Sequence, residues 1–291
     1  MKQIVFILAL IFMAVTVSAK KQALLMVHFG TTYDDTRATT IDALNSAAVA
    51  AFPEMKVVEA YTSRLVIKRL AARGIEKPTP RQALLSLAAE GYTDVFIQSS
   101  NVIDGVEMDA LRKEAEAMVP FFDDIRVGEP LLYTLDDCHR VVEILAGRYG
   151  SDLDARQSVV LVGHGTAIPA NAIYSQIDYM FTAEGHPQFH VATVEGYPTL
   201  QTTVERLKAA KAKSVRLVPF MFVAGDHARN DIDGDWRSEL EGMGYRVSTV
   251  IEGLGQIPEI RELYLDHIRR GLTEKPLAPS ERKAEFLKNN L

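Results

Sequence analysis

The sequence contains one cysteine, Cys138, and one tryptophan among its 291 residues. A single cysteine cannot form a disulfide within the chain, so the fold must be stabilised by a packed apolar core. Hydrophobic residues make up 47% of the chain, which is enough for two modest domains. Basic residues are also few: 32 lysines and arginines stand against 38 aspartates and glutamates, a formal charge of −6. Because general nucleic-acid binding needs a basic face, this balance argues against a nucleic-acid partner.

Long apolar runs are absent, with one exception at the N-terminus. Lys2 is followed by an apolar run from Ile4 to Val17, and Val17-Ser18-Ala19 has the small residues that signal peptidase recognises. The run is shorter than the roughly 20 residues of a bilayer span, and no cysteine follows it to carry a lipid anchor. An uncleaved membrane anchor is the alternative. The pattern predicts a signal peptide over 1–19 and a periplasmic protein with no membrane contact after cleavage.

The rest of the chain alternates apolar strands with amphipathic helices, and its second half repeats its first. VVLVGHGTA (159–167) aligns with ALLMVHFGTT (23–32), and HPQFHVATVEGYPT (186–199) aligns with FPEMKVVEAYTS (52–63). SVRLVPFMFVAGDH (214–227) aligns with DVFIQSSNVIDGVE (94–107), which sets His227 over Glu107. We therefore predict an α/β protein of two similar doubly wound parallel-sheet domains, 20–150 and 151–291, with a cleft between them.

Three chemically active residues follow apolar strands of the second half: His164, Glu195 and His227. The carboxyl ends of parallel strands line one crevice, so we expect these side chains to converge in the domain 151–291. Two imidazoles and one carboxylate suit a divalent transition metal with coordination positions left open. Two simpler interpretations stand beside this one: Glu195 pairs with a nearby arginine, and His227 caps the helix that follows it.

The other histidines give weaker signals. His28 also lies at a predicted strand end and is an intermediate case. We expect the remaining four to be solvated or on helix surfaces: His139, His186, His190 and His267.

Four segments resemble a known family: HFGTTYDDTR near the start, then GHGT, VEGYP and PFMFVAGDHARNDIDG in that order. They are similar to the sirohydrochlorin cobaltochelatases of the CbiK type, which are class II chelatases with a ferrochelatase-like two-domain fold. The resemblance implies a lyase that inserts Co²⁺, with Fe²⁺ or Ni²⁺ as alternatives, into a tetrapyrrole in anaerobic cobalamin-type biosynthesis. In that family two histidines and a glutamate hold the metal, and they fall on His164, Glu195 and His227. The metal is then the substrate, and we predict no organic cofactor.

Two other functions remain open. A periplasmic, non-catalytic carrier of metal or tetrapyrrole, linked to metal or haem uptake, would use the same three ligands. A histidine phosphatase is less favoured, because that chemistry needs an arginine where Gly163 stands.

A sirohydrochlorin-like ring carries carboxylates, so its site should offer backbone N–H groups and cations. The candidates are Gly30, Thr31, Thr32, Gly165 and Thr166 in two loops, with the arginines Arg37, Arg64 and Arg229. Asn101 stands where haem-binding relatives carry a histidine, so we predict no haem site. We expect the tail after Pro279, with Phe286 and Leu287, to be unpacked, and a homo-oligomer remains open.

Overall fold

The computed structural model describes residues 20–274 and 287–288. The predicted signal peptide lies outside the described residues, and so does Phe286 of the tail. Leu287 is described, and its side chain is exposed. None of the helices in these two ranges is long and apolar enough to cross a membrane.

The first half forms a four-stranded parallel sheet in the order β2-β1-β3-β4. Its strands are β1 (Gln22–His28), β2 (Lys56–Tyr61), β3 (Asp94–Ser99) and β4 (Asp124–Val127). Its helices are α1 (Asp34–Thr39), α2 (Ile41–Ala51), α3 (Arg64–Ala71), α4 (Pro80–Ala89), α5 (Val106–Glu116) and α6 (Leu135–Gly150).

The second half forms a parallel sheet with the same topology, β6-β5-β7-β8. Its strands are β5 (Gln157–Gly163), β6 (Phe189–Thr193), β7 (Ser214–Pro219) and β8 (Arg246–Thr249). Its helices are α7 (Ala172–Ala183), α8 (Leu200–Ala209), a π-helical segment (Ala228–Trp236), α9 (Arg237–Gly242) and α10 (Pro258–Thr273). The prediction of two similar parallel α/β sheets is confirmed.

Capping residues fix where several of these helices begin. The side chains of Thr79 and Thr134 each accept a hydrogen bond from the backbone N–H of the third helical residue, and the side chains of Gln82 and Asp137 accept one from the backbone N–H of the cap. Pro80 occupies the first position of α4, where its missing N–H removes no helical hydrogen bond. These reciprocal bonds satisfy N–H groups that a helix otherwise leaves unpaired.

The last helix of each half packs against the other half. In α6, Gly150 lies against Phe189 of β6: a Cβ on that glycine would be 3.2 Å from the ring. In α10, Gly271 lies under Phe96 of β3, and the Tyr264 hydroxyl donates to the Ser100 carbonyl 3.0 Å away. Residue 150 separates the two sheets along the chain. Each sheet is nevertheless covered by the last helix of the other half.

One buried apolar cluster joins the two sheets. It contains Leu24 and Phe96 from the first sheet, with Leu161 and Phe189 from the second. Because side chains alternate along a strand, Leu25 and its alternate neighbours face a separate cluster on the opposite side of the first sheet. The apolar core therefore runs continuously from one half into the other.

Two histidines expected at the surface are buried, and those predictions were wrong. His267 lies on the inward face of α10, where its Nε2 is 3.0 Å from Asp137 Oδ1 of α6 and both side chains are 0% exposed. His190 points from β6 into the interior and is 3% exposed. His139 is exposed as expected and pairs with Glu184 at 2.8 Å. Periodicity alone did not reveal which helix or strand face another element would cover.

Candidate metal centre

Two of the three predicted metal ligands, His164 and His227, lie close together at the strand ends of the second half, and the backbone of Glu195 contacts that of His164. His164 follows β5 directly, and its carbonyl accepts a hydrogen bond of 2.8 Å from the backbone N–H of Glu195. The rings of His164 and His227 are perpendicular, with centroids 4.8 Å apart. Within residues 20–274 and 287–288, no three His, Cys, Asp or Glu side chains already surround a common point. Joint coordination by all three therefore stays a prediction.

Glycines allow the loops after β5 and β6 to approach each other. Gly165 has φ +86°, and a Cβ there would lie 2.6 Å from the backbone nitrogen of Gly196. Its counterpart Gly30, after β1, has φ +98°. Gly163 is needed for a different reason, because a Cβ there would overlap the ring of Tyr174. Side-chain packing under the loop, rather than backbone conformation, requires that glycine.

Hydrogen bonds fix the tautomer of both imidazoles. His164 Nδ1 is 3.0 Å from the Gly165 carbonyl, and His227 Nδ1 is 2.5 Å from Asp231 Oδ2. A carbonyl and a carboxylate only accept, so each Nδ1 donates and each lone pair lies on Nε2. Both histidines therefore present Nε2 as the metal-binding atom.

The contacts support neither of the two simpler interpretations, that Glu195 pairs with an arginine and that His227 caps the helix after it. The His227 side chain makes no capping hydrogen bond to the π-helical segment that it precedes. No lysine or arginine in the described part of the chain lies within salt-bridge distance of Glu195, which is exposed. Both side chains therefore remain available for a ligand.

Glu107 is a further candidate that the sequence analysis aligned with His227 but did not select. It lies in the first turn of α5, in the first half of the chain. The residue is exposed, yet partial desolvation by the surrounding protein raises the pKa of its carboxyl above the ordinary value, and the charge of His164 partly offsets that rise. Burial also raises the pKa of Tyr174 to about 12, and the Glu107 charge acts in the same direction. A carboxyl group of the first half thus lies within electrostatic range of a histidine of the second, as the repeat alignment could have suggested.

Several of the predicted anion-binding groups already form hydrogen bonds or ion pairs within the protein. The Thr166 amide donates to Asn171 Oδ1 at 3.0 Å, and Arg37 pairs with Asp34 at 2.9 Å with only 17% of its side chain exposed. Thr31 is buried, and its hydroxyl accepts from the Tyr33 amide. The binding roles proposed for Gly30, Thr31, Thr32, Gly165, Thr166, Arg37 and Arg64 stay predictions.

Exposed apolar side chains accompany these strand ends and were not predicted. Phe29 follows β1, Val106 begins α5 and Tyr197 lies in the loop after β6, and all three are largely solvent-exposed.

Residues 22–273 match the family model described as cobalt chelatase (CbiK). This chain belongs to the CbiK cobalt chelatase family. The CbiK chain is 37% identical over 257 residues to the sirohydrochlorin cobaltochelatase of Salmonella typhimurium, covering 87% of this chain and 97% of the relative. It is 32% identical over 223 residues to the sirohydrochlorin cobaltochelatase CbiKC of Nitratidesulfovibrio vulgaris, covering 75% of this chain and 79% of the relative.

Solved structures share the fold of this CbiK chain at low identity. SirB from Bacillus subtilis, solved with Fe³⁺, superposes with a TM-score of 0.62 at 16% identity, covering 86% of this chain and 95% of SirB. SirB from Bacillus subtilis subspecies spizizenii, solved with cobalt, gives 0.61 at 15% identity, covering 86% and 94%. These two likenesses bear on the fold alone, and they agree with the two four-stranded parallel sheets.

Proposed function

We propose that this CbiK-family chain is a sirohydrochlorin cobaltochelatase that inserts Co²⁺ into its tetrapyrrole substrate at His164, Glu195 and His227. The single observation that carries the site assignment is the pair of imidazoles 4.8 Å apart, each with its lone pair on Nε2. The names of the two matched cobaltochelatases support the reaction.

The chemistry follows from the groups present. Insertion must strip water from the metal, remove the pyrrole N–H protons and exchange protein ligands for ring nitrogens. A site with few protein ligands, exposed to solvent, releases a metal more readily than a closed tetrahedral cage. His164 and Glu195 are exposed and His227 is partly exposed, which suits such an exchange. Glu107 lies within electrostatic range of His164, and its carboxylate would accept a proton leaving the ring.

Co²⁺ is the metal we assign, and Fe²⁺ and Ni²⁺ are the alternatives. Imidazole and carboxylate ligands accept all three, with affinities that follow the metal rather than the site. The names of the two matched relatives, both cobaltochelatases, support cobalt.

We place the mature protein in the periplasm, after removal of residues 1–19. The apolar run and its small-residue boundary support this proposal. The family match begins at residue 22, so the proposed leader lies outside the matched range. Edman sequencing of protein from a periplasmic fraction should begin at Lys20; protein that retains Met1 would contradict the proposal.

Metal insertion by the purified mature protein tests the function. Sirohydrochlorin absorbance is followed with Co²⁺ for the wild type, for His164→Ala with His227→Ala, and for His139→Ala. His139 is the matched control because it is an exposed histidine paired with Glu184. We expect turnover from the wild type and control, and only the spontaneous rate from the double variant. Stoichiometric ring binding without turnover by the wild type would instead indicate the carrier.

A further inference from the structure

Five side chains join the two halves of the molecule beside His227. Tyr33 Oη donates to Asp226 Oδ1 at 2.8 Å, and Arg69 Nη1 donates to Asp226 Oδ2 at 3.3 Å. Arg229 Nη2 donates to Asp35 Oδ2 at 3.3 Å, and the Arg229 guanidinium lies 4.5 Å from the centre of the Tyr33 ring. We refer to Tyr33, Asp35, Arg69, Asp226 and Arg229 as the bridging cluster.

The cluster acts on the segment that carries one metal ligand. Asp226 directly precedes His227, and Arg229 follows it by two residues. Both therefore hold the backbone of His227 against α1, α3 and the loop after β1, which all belong to the first half.

The other two ligands are held differently. His164 and Glu195 follow β5 and β6, and a hydrogen bond between their backbones ties them to each other within the second half. The segment of His227 is anchored within the second half by the buried Ala224 and Ala228, and the contacts that cross between the halves add to that anchoring.

The ion pairs of the bridging cluster are individually weak. The Arg69–Asp226 side chains are 52% and 53% exposed, and the Arg229–Asp35 side chains are 39% and 74% exposed. Solvent screening leaves such pairs little net value, so they do not hold the halves together. The buried cluster shared by both sheets does that. The bridging cluster can therefore adjust the position of His227 without being needed for folding.

We propose that the bridging cluster positions His227, and that Asp226 is its central positioning residue. The inference rests on the proposed role of His227 as a metal ligand. Asp226 accepts from two first-half donors at once, so its carboxylate fixes the segment at the spacing that lets His227 and His164 bind one ion. Loss of that carboxylate should weaken Co²⁺ binding and alter the coordination geometry while the fold persists.

Co²⁺ titration of the mature protein without tetrapyrrole tests this proposal, with the visible d–d spectrum of bound Co²⁺ as a second readout. The variants are Asp226→Ala, the size-matched Asp226→Asn, Tyr33→Phe, and Asp226→Ala combined with Tyr33→Phe. Arg81→Ala is the control, because it breaks an equally exposed pair with Glu114. We expect Asp226→Ala to weaken Co²⁺ binding about tenfold and to shift the spectrum, as loss of a ligand-orienting group does elsewhere.

Asp226→Asn should give a smaller loss, because it keeps the Tyr33 acceptor and loses only the charge. The double variant should be no worse than Asp226→Ala, since both substitutions remove the same contact. Unchanged affinity and spectrum in both Asp226 variants, beside loss of binding in His227→Ala, would overturn the positioning role alone. Unchanged affinity in His227→Ala would overturn the ligand assignment and this inference with it.

Discussion

His190 is a buried imidazole on β6 whose two ring nitrogens find no hydrogen-bond partner among the described residues. Burial, reinforced by the nearby Arg206, lowers its pKa to about 4. Burial likewise lowers the pKa of His28 to about 4, against the opposing effect of the hydrogen bond that His28 Nε2 donates to Asn45 Oδ1. An unfolded histidine titrates near 6.5, so between pH 6.5 and 4 the unfolded chain binds more protons than the folded one. The free energy of unfolding must therefore fall as pH drops through that window.

His190→Leu should raise stability and weaken this acid sensitivity. Removing two unsatisfied buried nitrogens should raise the free energy of unfolding at pH 7 by about 1 kcal/mol. The pH slope between 6.5 and 4 should decrease by at most about 1.4 kcal/mol per pH unit, since one titrating group is lost. Urea denaturation at a series of pH values measures both. A slope equal to that of the wild type would show that His190 is not held neutral in the folded state.

Asp231 should control how well His227 binds metal. Its carboxylate accepts from His227 Nδ1 at 2.5 Å and so keeps the lone pair on Nε2. Asp231→Ala should weaken Co²⁺ affinity about 10- to 100-fold, the usual effect of removing a ligand-orienting carboxylate. Asp233→Ala in the same π-helical segment is the matched control, because Asp233 pairs with Arg237 instead. Calorimetric Co²⁺ titration would contradict the assignment if both variants bound alike.

At the scale of elements, α6 and α10, the helices that pack against the opposite half, each contain a glycine, and the space around these two glycines differs. Gly271 of α10 faces the Phe96 ring so closely that a Cβ would overlap it. Gly147 of α6 has no atom within 4 Å of the position that its Cβ would take. The same substitution should therefore have opposite signs at the two positions.

Gly271→Ala should lower the free energy of unfolding by about 1–3 kcal/mol, the usual cost of overpacking a fitted interface. Gly147→Ala should raise it by about 0.5–1 kcal/mol, because alanine is the better helix former and meets open space. Thermal denaturation of the two variants beside the wild type measures the difference. Equal effects would mean that α10 does not pack on β3 as closely as described.

At the scale of the whole molecule, the halves are interlocked through their terminal helices. The His267–Asp137 pair joins α10 to α6, with both side chains 0% exposed. Burial disfavours the ionised Asp137, but hydrogen bonds from His267 and Thr134 outweigh it and hold the pKa of Asp137 well below its usual range. A depressed carboxyl pKa contributes stability above the unfolded value and loses it as pH falls through the folded one. The His267–Asp137 interaction should therefore weaken only in strong acid.

Separating the chain after residue 150 should test the interlocking. Residues 20–150 and 151–291 produced as two chains should each fail to melt cooperatively, because each sheet would lack the helix that the other half supplies. Produced together, they should form a complex that melts as one unit. Calorimetry and size-exclusion chromatography of each chain and of the mixture provide the measurement. A cooperative transition of 20–150 alone would contradict this expectation.

The sequence by itself determined the elements and their repetition. The predicted alternation of apolar strands and amphipathic helices, repeated in the second half, is present as two parallel sheets with the same strand order. Apolar runs, caps and prolines act over a few residues, so a local reading captures them. The repeat also predicted the approach of His164 and His227, because parallel strand ends must meet at one edge.

Only the tertiary structure decided which distant residues meet. Tyr33 reaches Asp226, and His267 is buried against Asp137, each across a long stretch of chain. No periodicity encodes these contacts, because they arise from the packing of one half on the other. The local sequence thus determines which chemical groups stand at the strand ends. The positions of these groups relative to one another depend on how the two sheets, with α6 and α10, pack together.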